Sequence, residues 1–423
     1  MTAFDRIERR LPDLLEDLAS AHVPDYFDDI LQATTVTDQR PAWASIERWL
    51  PVDLTMPSPI GRARLLPRLA FLLLLGLLVV ASVLLYAGSQ PPRIPAPFGP
   101  ATNGSLYFND ANGNVMAVDP KTLESRNVLA LPSRGRGDGV LPSRDGLHIA
   151  VLVKSVDGEQ VIVADRDGMN SHTLPGTYIN FSEIDWSPDN TQVAIISSVT
   201  GVAAISILPA DGSAATSLSI PLKPQNFWYM PNGSFVFTGT KTVGGGRTYG
   251  LYAVNADGTD LRPILPPTLA ELDWLAMSPS PDGRSLLYFR WRDPGEKGRL
   301  HLVDIATGSD TTVQVAGAQA SDAFEGASFS PDGRSILFNW FSASGTVRLA
   351  EVPVGGGTAV QFGPAVHSDV SPNAFFSPDG RSVIAWYPSL KELWLLDPLG
   401  NSGADRKLAL PVTDIPAWQR VAP

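Results

Sequence analysis

The chain has 423 residues, a net charge of −11 and no cysteine. Its length leaves room for more than one domain, and the missing cysteines exclude disulfides, thiolate metal sites and a cysteine nucleophile. The acidic balance argues against nucleic acid as a partner, because phosphate binding needs clustered Lys and Arg.

Residues 1–64 read as a short α-helical segment. Phe4, Ile7, Leu11, Leu14, Leu15 and Leu18 recur at three- and four-residue steps, with Pro12 near a first turn. PDYFDDIL, containing Phe27, reads as a second short helix. RPAWASIERWLPVDL puts Trp43, Ile46, Trp49 and Leu50 on one face of a third. Three short apolar faces make a poor independent core, so a protein partner is expected to cover them, with Phe27, Trp43 and Trp49 as its contacts. Residues 1–50 carry ten Asp and Glu against five Arg, which disfavours a membrane-surface role for these helices.

Leu69 to Ala87, LAFLLLLGLLVVASVLLYA, contains no charge. A helix of that length spans roughly 28 Å, close to the hydrocarbon thickness of a bilayer. One transmembrane helix with its flank is therefore expected over residues 65–88. Arg62, Arg64 and Arg68 precede it, and only Arg93 follows closely. Positive flanks stay inside, so the N-terminus is expected in the cytoplasm and the rest outside, in a single-pass protein of the cell membrane. The 68 residues before the apolar run are too many for a signal peptide. A semi-rigid linker is expected over residues 89–100, within GSQPPRIPAPFGP and its five prolines.

From residue 101 to 423 the chain repeats itself. SPDGRSLLYF, SPDGRSILFNW and SPDGRSVIAWY are near-identical, WSPDNTQVAIIS is a fourth copy, and PSRDGLHIAVL, MPNGSFVFTG and TNGSLYF are weaker ones. The turn markers are Asn103, Asp145, Asp189, Asn232, Asp282, Asp332 and Asp379, spaced 42 to 50 residues apart. That period fits a four-stranded propeller blade. Asp-Gly and Asn-Gly suit tight hairpin turns, and the near-continuous apolar runs after them suit strands covered on both faces. The fold class is mainly β: a seven-bladed β-propeller, or six or eight blades if a weak copy is misread. The first repeat lacks an inner strand, and the final DIPAWQR has a Trp418 matching Trp186, so the C-terminal strand is expected to complete the first blade.

This repeat resembles that of the TolB-like propeller family, whose copies carry a W-S-P-D-G turn, an apolar strand and a D-G turn. The resemblance covers residues 101–423 and implies a propeller used mainly as a binding platform. PDYFDDIL and RPAWASIERWLP resemble the N-termini of bacterial membrane proteins similar to anti-sigma factors, which implies an inside tail, one span and an outside sensor. The zinc motif of many anti-sigma domains is absent here, since the chain has no cysteine.

No residue carries a catalytic role in this reading. The five histidines have no metal-ligand spacing, and His301 reads as a sheet residue. Asp165 to Gly168 reads as a hairpin turn and not a calcium loop. The two Gly-Gly-Gly runs lack the Lys and Ser or Thr of a phosphate loop. Trp291, Trp340 and Trp386 either line a rim or pack between blades. No metal or cofactor is expected. The leading expectation is a membrane-anchored outside propeller that binds an unknown ligand or protein, with a tail contacting a cytoplasmic partner such as a sigma factor. The alternatives are an anchored envelope scaffold with an inert tail, and an enzyme working in the propeller channel.

Overall fold

The computed structural model describes residues 71–82 and 97–422, apart from the short stretches 132–134, 157, 180–182, 199–202, 244–245, 268–273, 291–297 and 368–369. The chain divides into two compact units, Met1–Gln90 and Pro91–Pro423. In the first, residues 71–82 are helical, and the large apolar side chains from Phe71 to Val80 are 44–72% exposed. Ser82, the polar interruption, donates its hydroxyl to the Leu78 carbonyl at 2.8 Å within the helix. Among the described residues no helix is long and apolar enough to cross a membrane. The described helix covers part of the expected span, whose ends lie outside the described residues. So do Phe27, Trp43, Trp49, Arg62, Arg64 and Arg68.

The second unit is a seven-bladed β-propeller. Blade 1 holds β1 (Thr102–Asn109), β2 (Val115–Val118) and β3 (Ser125–Leu129). Blade 2 holds β4 (Gly135–Pro142), β5 (His148–Ser155), β6 (Gly158–Asp165) and β7 (His172–Thr173). Blade 3 holds β8 (Glu183–Trp186), β9 (Gln192–Ser198), β10 (Ala203–Pro209) and β11 (Thr216–Ser217). Blade 4 holds β12 (Lys223–Tyr229), β13 (Phe235–Val243), β14 (Gly246–Val254) and β15 (Arg262–Pro263). Blade 5 holds β16 (Trp274–Pro279), β17 (Ser285–Arg290), β18 (Arg299–Asp304) and β19 (Asp310–Thr312). After the short β20 (Val315–Ala316), blade 6 holds β21 (Ala323–Phe329), β22 (Ser335–Phe341) and β23 (Thr346–Pro353); β24 (Gly357–Thr358) pairs with β20, and β25 (Val360–His367) ends the blade. Blade 7 holds β26 (Asn373–Phe376), β27 (Val383–Tyr387), β28 (Glu392–Leu396) and β29 (Arg406–Leu408). The last strand, β30 (Ala417–Val421), returns to pair antiparallel with β1, which gives blade 1 its fourth strand and closes the ring.

Packing shows why the second strand of each blade reads as a continuous apolar run. Successive side chains of a strand point to opposite faces. In β13, Val236 packs toward blade 5 while Phe235 and Phe237 pack toward blade 3. In β17, Leu286 and Tyr288 face blade 4 and Leu287 faces blade 6. Among the described residues seven buried clusters result, each between consecutive blades, and the one between blades 7 and 1 joins Trp386 and Ile384 to Leu106 and Trp418. Trp340 and Trp386 belong to these cores and do not line a rim.

Candidate functional site at the axial mouth

The repeated turn is a structural device. In five copies a buried serine donates to the aspartate two residues on, at 2.5–2.6 Å: Ser143 to Asp145, Ser187 to Asp189, Ser280 to Asp282, Ser330 to Asp332 and Ser377 to Asp379. Each serine hydroxyl also accepts the backbone N–H five residues on, at 2.9–3.0 Å. The aspartate accepts the N–H two residues on at 3.0–3.1 Å. In the Asp189 and Asp379 turns, burial pushes the carboxyl pKa up, but the serine and backbone donors outweigh it and leave a net lowering. The positive φ falls on the next residue, Gly146 at 74°, Gly283 at 72° and Gly333 at 70°, or Asn190 at 60°. Asn232 keeps the acceptor role without the serine, through Ser234 N–H at 3.0 Å. These carboxylates are consumed by their own turns.

Asn103, expected in a turn, lies in β1 opposite Arg420. The turn of blade 1 is split between the two ends of the chain, and Gln419 does the serine's work across the break. Its Oε1 accepts Ser105 N–H at 3.1 Å, and its Nε2 donates to the Gly146 carbonyl at 2.7 Å. Asn103 stands one place beyond the expected marker, and its side chain accepts the Asp379 N–H at 3.0 Å, tying blade 1 to blade 7.

This register exposes a position that the sequence reading passed over. Trp418 pairs with Leu106 as Pro142 pairs with Ile149 and Trp186 with Val193. The residue two places further on then aligns in every blade. Blades 3 to 7 carry proline there: Pro188, Pro231, Pro281, Pro331 and Pro378. Blades 1 and 2 carry Arg420 and Arg144. The signal was present in the sequence, since PSRDG departs from SPDG at this one place. The positions pack in a ring: a Cβ on Gly146 would sit 1.9 Å from the Arg420 carbonyl oxygen, and one on Gly283 would sit 2.7 Å from Pro231.

Two cavities lie along the axis. One of about 500 Å³ is lined by Asp110, Gly137, Phe375, Asp414 and Ala417, on the side of the loops that lead into the inner strands. The other, of about 290 Å³, lies on the turn face and is lined by Pro281, Pro331, Pro378, Phe376, Trp418 and Arg420. Phe375 borders both, and β30 passes from Ala417 in the first to Arg420 in the second. The linker enters at the turn face. Phe98 and Gly99 line the smaller cavity, Ala101 N–H donates to the Pro378 carbonyl at 2.8 Å, and the Arg144 guanidinium stands 4.4 Å from the centroid of the Phe98 ring.

The two arginines differ in what they meet. Arg144 Nη2 donates to both carboxylate oxygens of Asp185 on β8, at 2.6 and 2.7 Å, and Nε donates to the Trp186 carbonyl at 3.1 Å. Asp185 also accepts the Tyr229 N–H at 3.0 Å, so this carboxylate ties blades 2, 3 and 4. Burial pushes its carboxyl above the ordinary range, and Arg144 pulls it back. Two residues earlier on the same face, Glu183 is pushed up to about 7 by burial and by the Asp185 charge. With its amide oriented to donate, Asn226 reaches Glu183 Oε1 at 3.1 Å. Arg420 donates to the Arg144 and Gly99 carbonyls, both neutral.

His301 sits in β18, stacked on Tyr288, with its Nδ1 3.3 Å from Asp310 Oδ1, while the Tyr288 hydroxyl donates to Asp310 Oδ2 at 2.5 Å. This is an internal sheet network. Asp165 to Gly168 forms a hairpin turn, with Gly168 N–H donating to the Asp165 carbonyl at 2.8 Å. Among the described residues no group of three His, Asp or Glu is placed to hold a metal.

No family model matches the chain, and no curated protein sequence does. Solved structures do. The tricorn protease is similar over 78% of this chain and 35% of its own, with 12% identity and a TM-score of 0.54. A prolyl endopeptidase is similar over 74% of this chain and 50% of its own, with 11% identity and a TM-score of 0.54. TolB from Acinetobacter baumannii is similar over 76% of this chain and 83% of its own, with 17% identity and a TM-score of 0.45. At such identities the first two likenesses show the β-propeller fold and nothing of activity.

Proposed function

We propose that this chain is a single-pass membrane protein whose outside propeller is a binding module and whose inside tail, residues 1–64, contacts a cytoplasmic protein, with a sigma factor as the leading class of partner. One observation carries the anchor: a helix without a charged residue that leaves its large apolar side chains 44–72% exposed. Water disfavours that surface, and a bilayer accepts it. The three preceding arginines support an inside N-terminus. The propeller supplies the binding surface through its axial mouth, which departs from its own repeat at Arg144 and Arg420. The TolB-like repeat supports a binding platform in preference to an enzyme.

The absence of cysteine makes the test clean. Thr35→Cys and Ser344→Cys are introduced singly into the full chain, and intact cells are treated with a membrane-impermeant maleimide. The expected result is labelling of Ser344→Cys alone. Labelling of Thr35→Cys, or none at Ser344→Cys, contradicts the topology. Capture of a sigma factor by the full chain, lost in Trp43→Ala/Trp49→Ala with an unchanged propeller melt, is the expected partner result. Capture that survives the double substitution removes these residues from the contact.

A further inference from the structure

The ring of seven equivalent turn positions is apolar at five places and cationic at two adjacent ones. Arg144 is neutralised by Asp185. Among the described residues, Arg420 has no carboxylate within ion-pair distance, and its Nη atoms donate only to backbone carbonyls. Burial and the neighbouring Arg144 charge hold its pKa below the usual guanidinium value, yet an arginine stays protonated in a protein. A half-buried cation without a counter-charge is costly, and its two carbonyl contacts leave N–H donors unused. Ser278, Ser328 and Ser330 line the same cavity from the inner strands and turns of blades 5 and 6. Apart from Gly99 and the serines, the walls are aromatic or proline, with Phe98, Phe329, Phe376, Trp418 and the prolines of blades 5 to 7.

We propose that this turn-face mouth binds a small monocarboxylate with an apolar body, the carboxylate on Arg420 and the body among Phe98, Phe329, Phe376 and Trp418. A carboxylate is the planar acceptor that a guanidinium fork takes best. The free volume of about 290 Å³ suits a small acid. Arg420 also holds the Gly99 carbonyl, so the bound carboxylate would contact the same side chain that fixes the linker. The proposal rests on reading the propeller as a binding module and names its ligand class.

The test uses the full chain in detergent, with phenylacetate and the uncharged phenylacetamide as probes and binding followed by calorimetry. Phenylacetate is expected to bind at least tenfold more tightly than phenylacetamide. Arg420→Gln is expected to abolish that preference, and Arg420→Lys to keep part of it, in proteins that melt as cooperatively as the parent. Equal affinity for the two probes, no phenylacetate binding, or a full preference retained in folded Arg420→Gln overturns the proposal. Should Arg420→Gln fail to fold, Arg420→Lys decides: a reduced preference for phenylacetate supports the site, and an undiminished preference overturns it. A negative result here leaves the cysteine-labelling topology untouched, so the two readings fail separately.

Discussion

Blades 5 to 7 and blades 1 to 2 are built from the same turn and differ at the axis. In blades 5, 6 and 7 the S-P-D-G turn is complete, each serine is paired with its aspartate, and prolines line the mouth. In blades 1 and 2 the proline is replaced by Arg420 and Arg144, and blade 1 assembles its turn from the two ends of the chain. The turn's side-chain hydrogen bonds come from the serine and aspartate, or from Asn232 in blade 4 and Gln419 in blade 1, and none of them involves the proline. The proline position is therefore free to carry chemistry, and the chain places charge there in two adjacent blades alone.

That contrast can be broken from the seam outward. The largest effect is expected from truncation after Val412, which removes β30 and leaves β1 without its partner strand; calorimetry should show loss of the cooperative melt. Within the full chain, Trp418→Ala opens the core shared by blades 7 and 1 and should cost about 3–5 kcal/mol by denaturant titration. Arg144→Ala leaves the Asp185 carboxylate buried without a counter-charge and should also cost about 3–5 kcal/mol. Adding Asp185→Asn should return part of that loss, and a strictly additive double variant would argue against the pair.

Glu183 sharpens the comparison through pH. Its folded pKa of about 7 lies above its ordinary value, so the folded state holds the proton more tightly than the unfolded chain. Its contribution is complete below the unfolded pKa and is lost as pH rises through about 7. The loss is about 3 kcal/mol at most. Melts at pH 5 and pH 8 should differ less in Glu183→Gln than in the parent. The smallest effect belongs to a regular blade: Ser330→Ala removes the hydroxyl that serves Asp332 and Ser335 N–H and should cost about 1–2 kcal/mol.

Much of this architecture was legible in the chain. The spacing of the Asp-Gly turns sets the blade period, and DIPAWQR points to ring closure. Asn103 was placed one position off because a turn split between two chain ends has no continuous motif to align. The site was harder to read. Arg144 and Arg420 stood in plain view, but their equivalence appears only when the register of β30 on β1 is known. Nothing in the local sequence of Phe98 shows that it meets Arg144 at the axial mouth, since that contact depends on ring closure.

The central claim is that Arg420 presents an unpaired positive charge to the turn-face mouth. Ser278→Cys puts a unique thiol into that cavity, and its modification rate can be compared for an anionic sulfonate and a cationic trimethylammonium methanethiosulfonate of similar size. The account predicts that the anionic reagent reacts at least tenfold faster, and that Arg420→Gln removes the difference. Equal rates, or a preference for the cationic reagent in the parent chain, would contradict it.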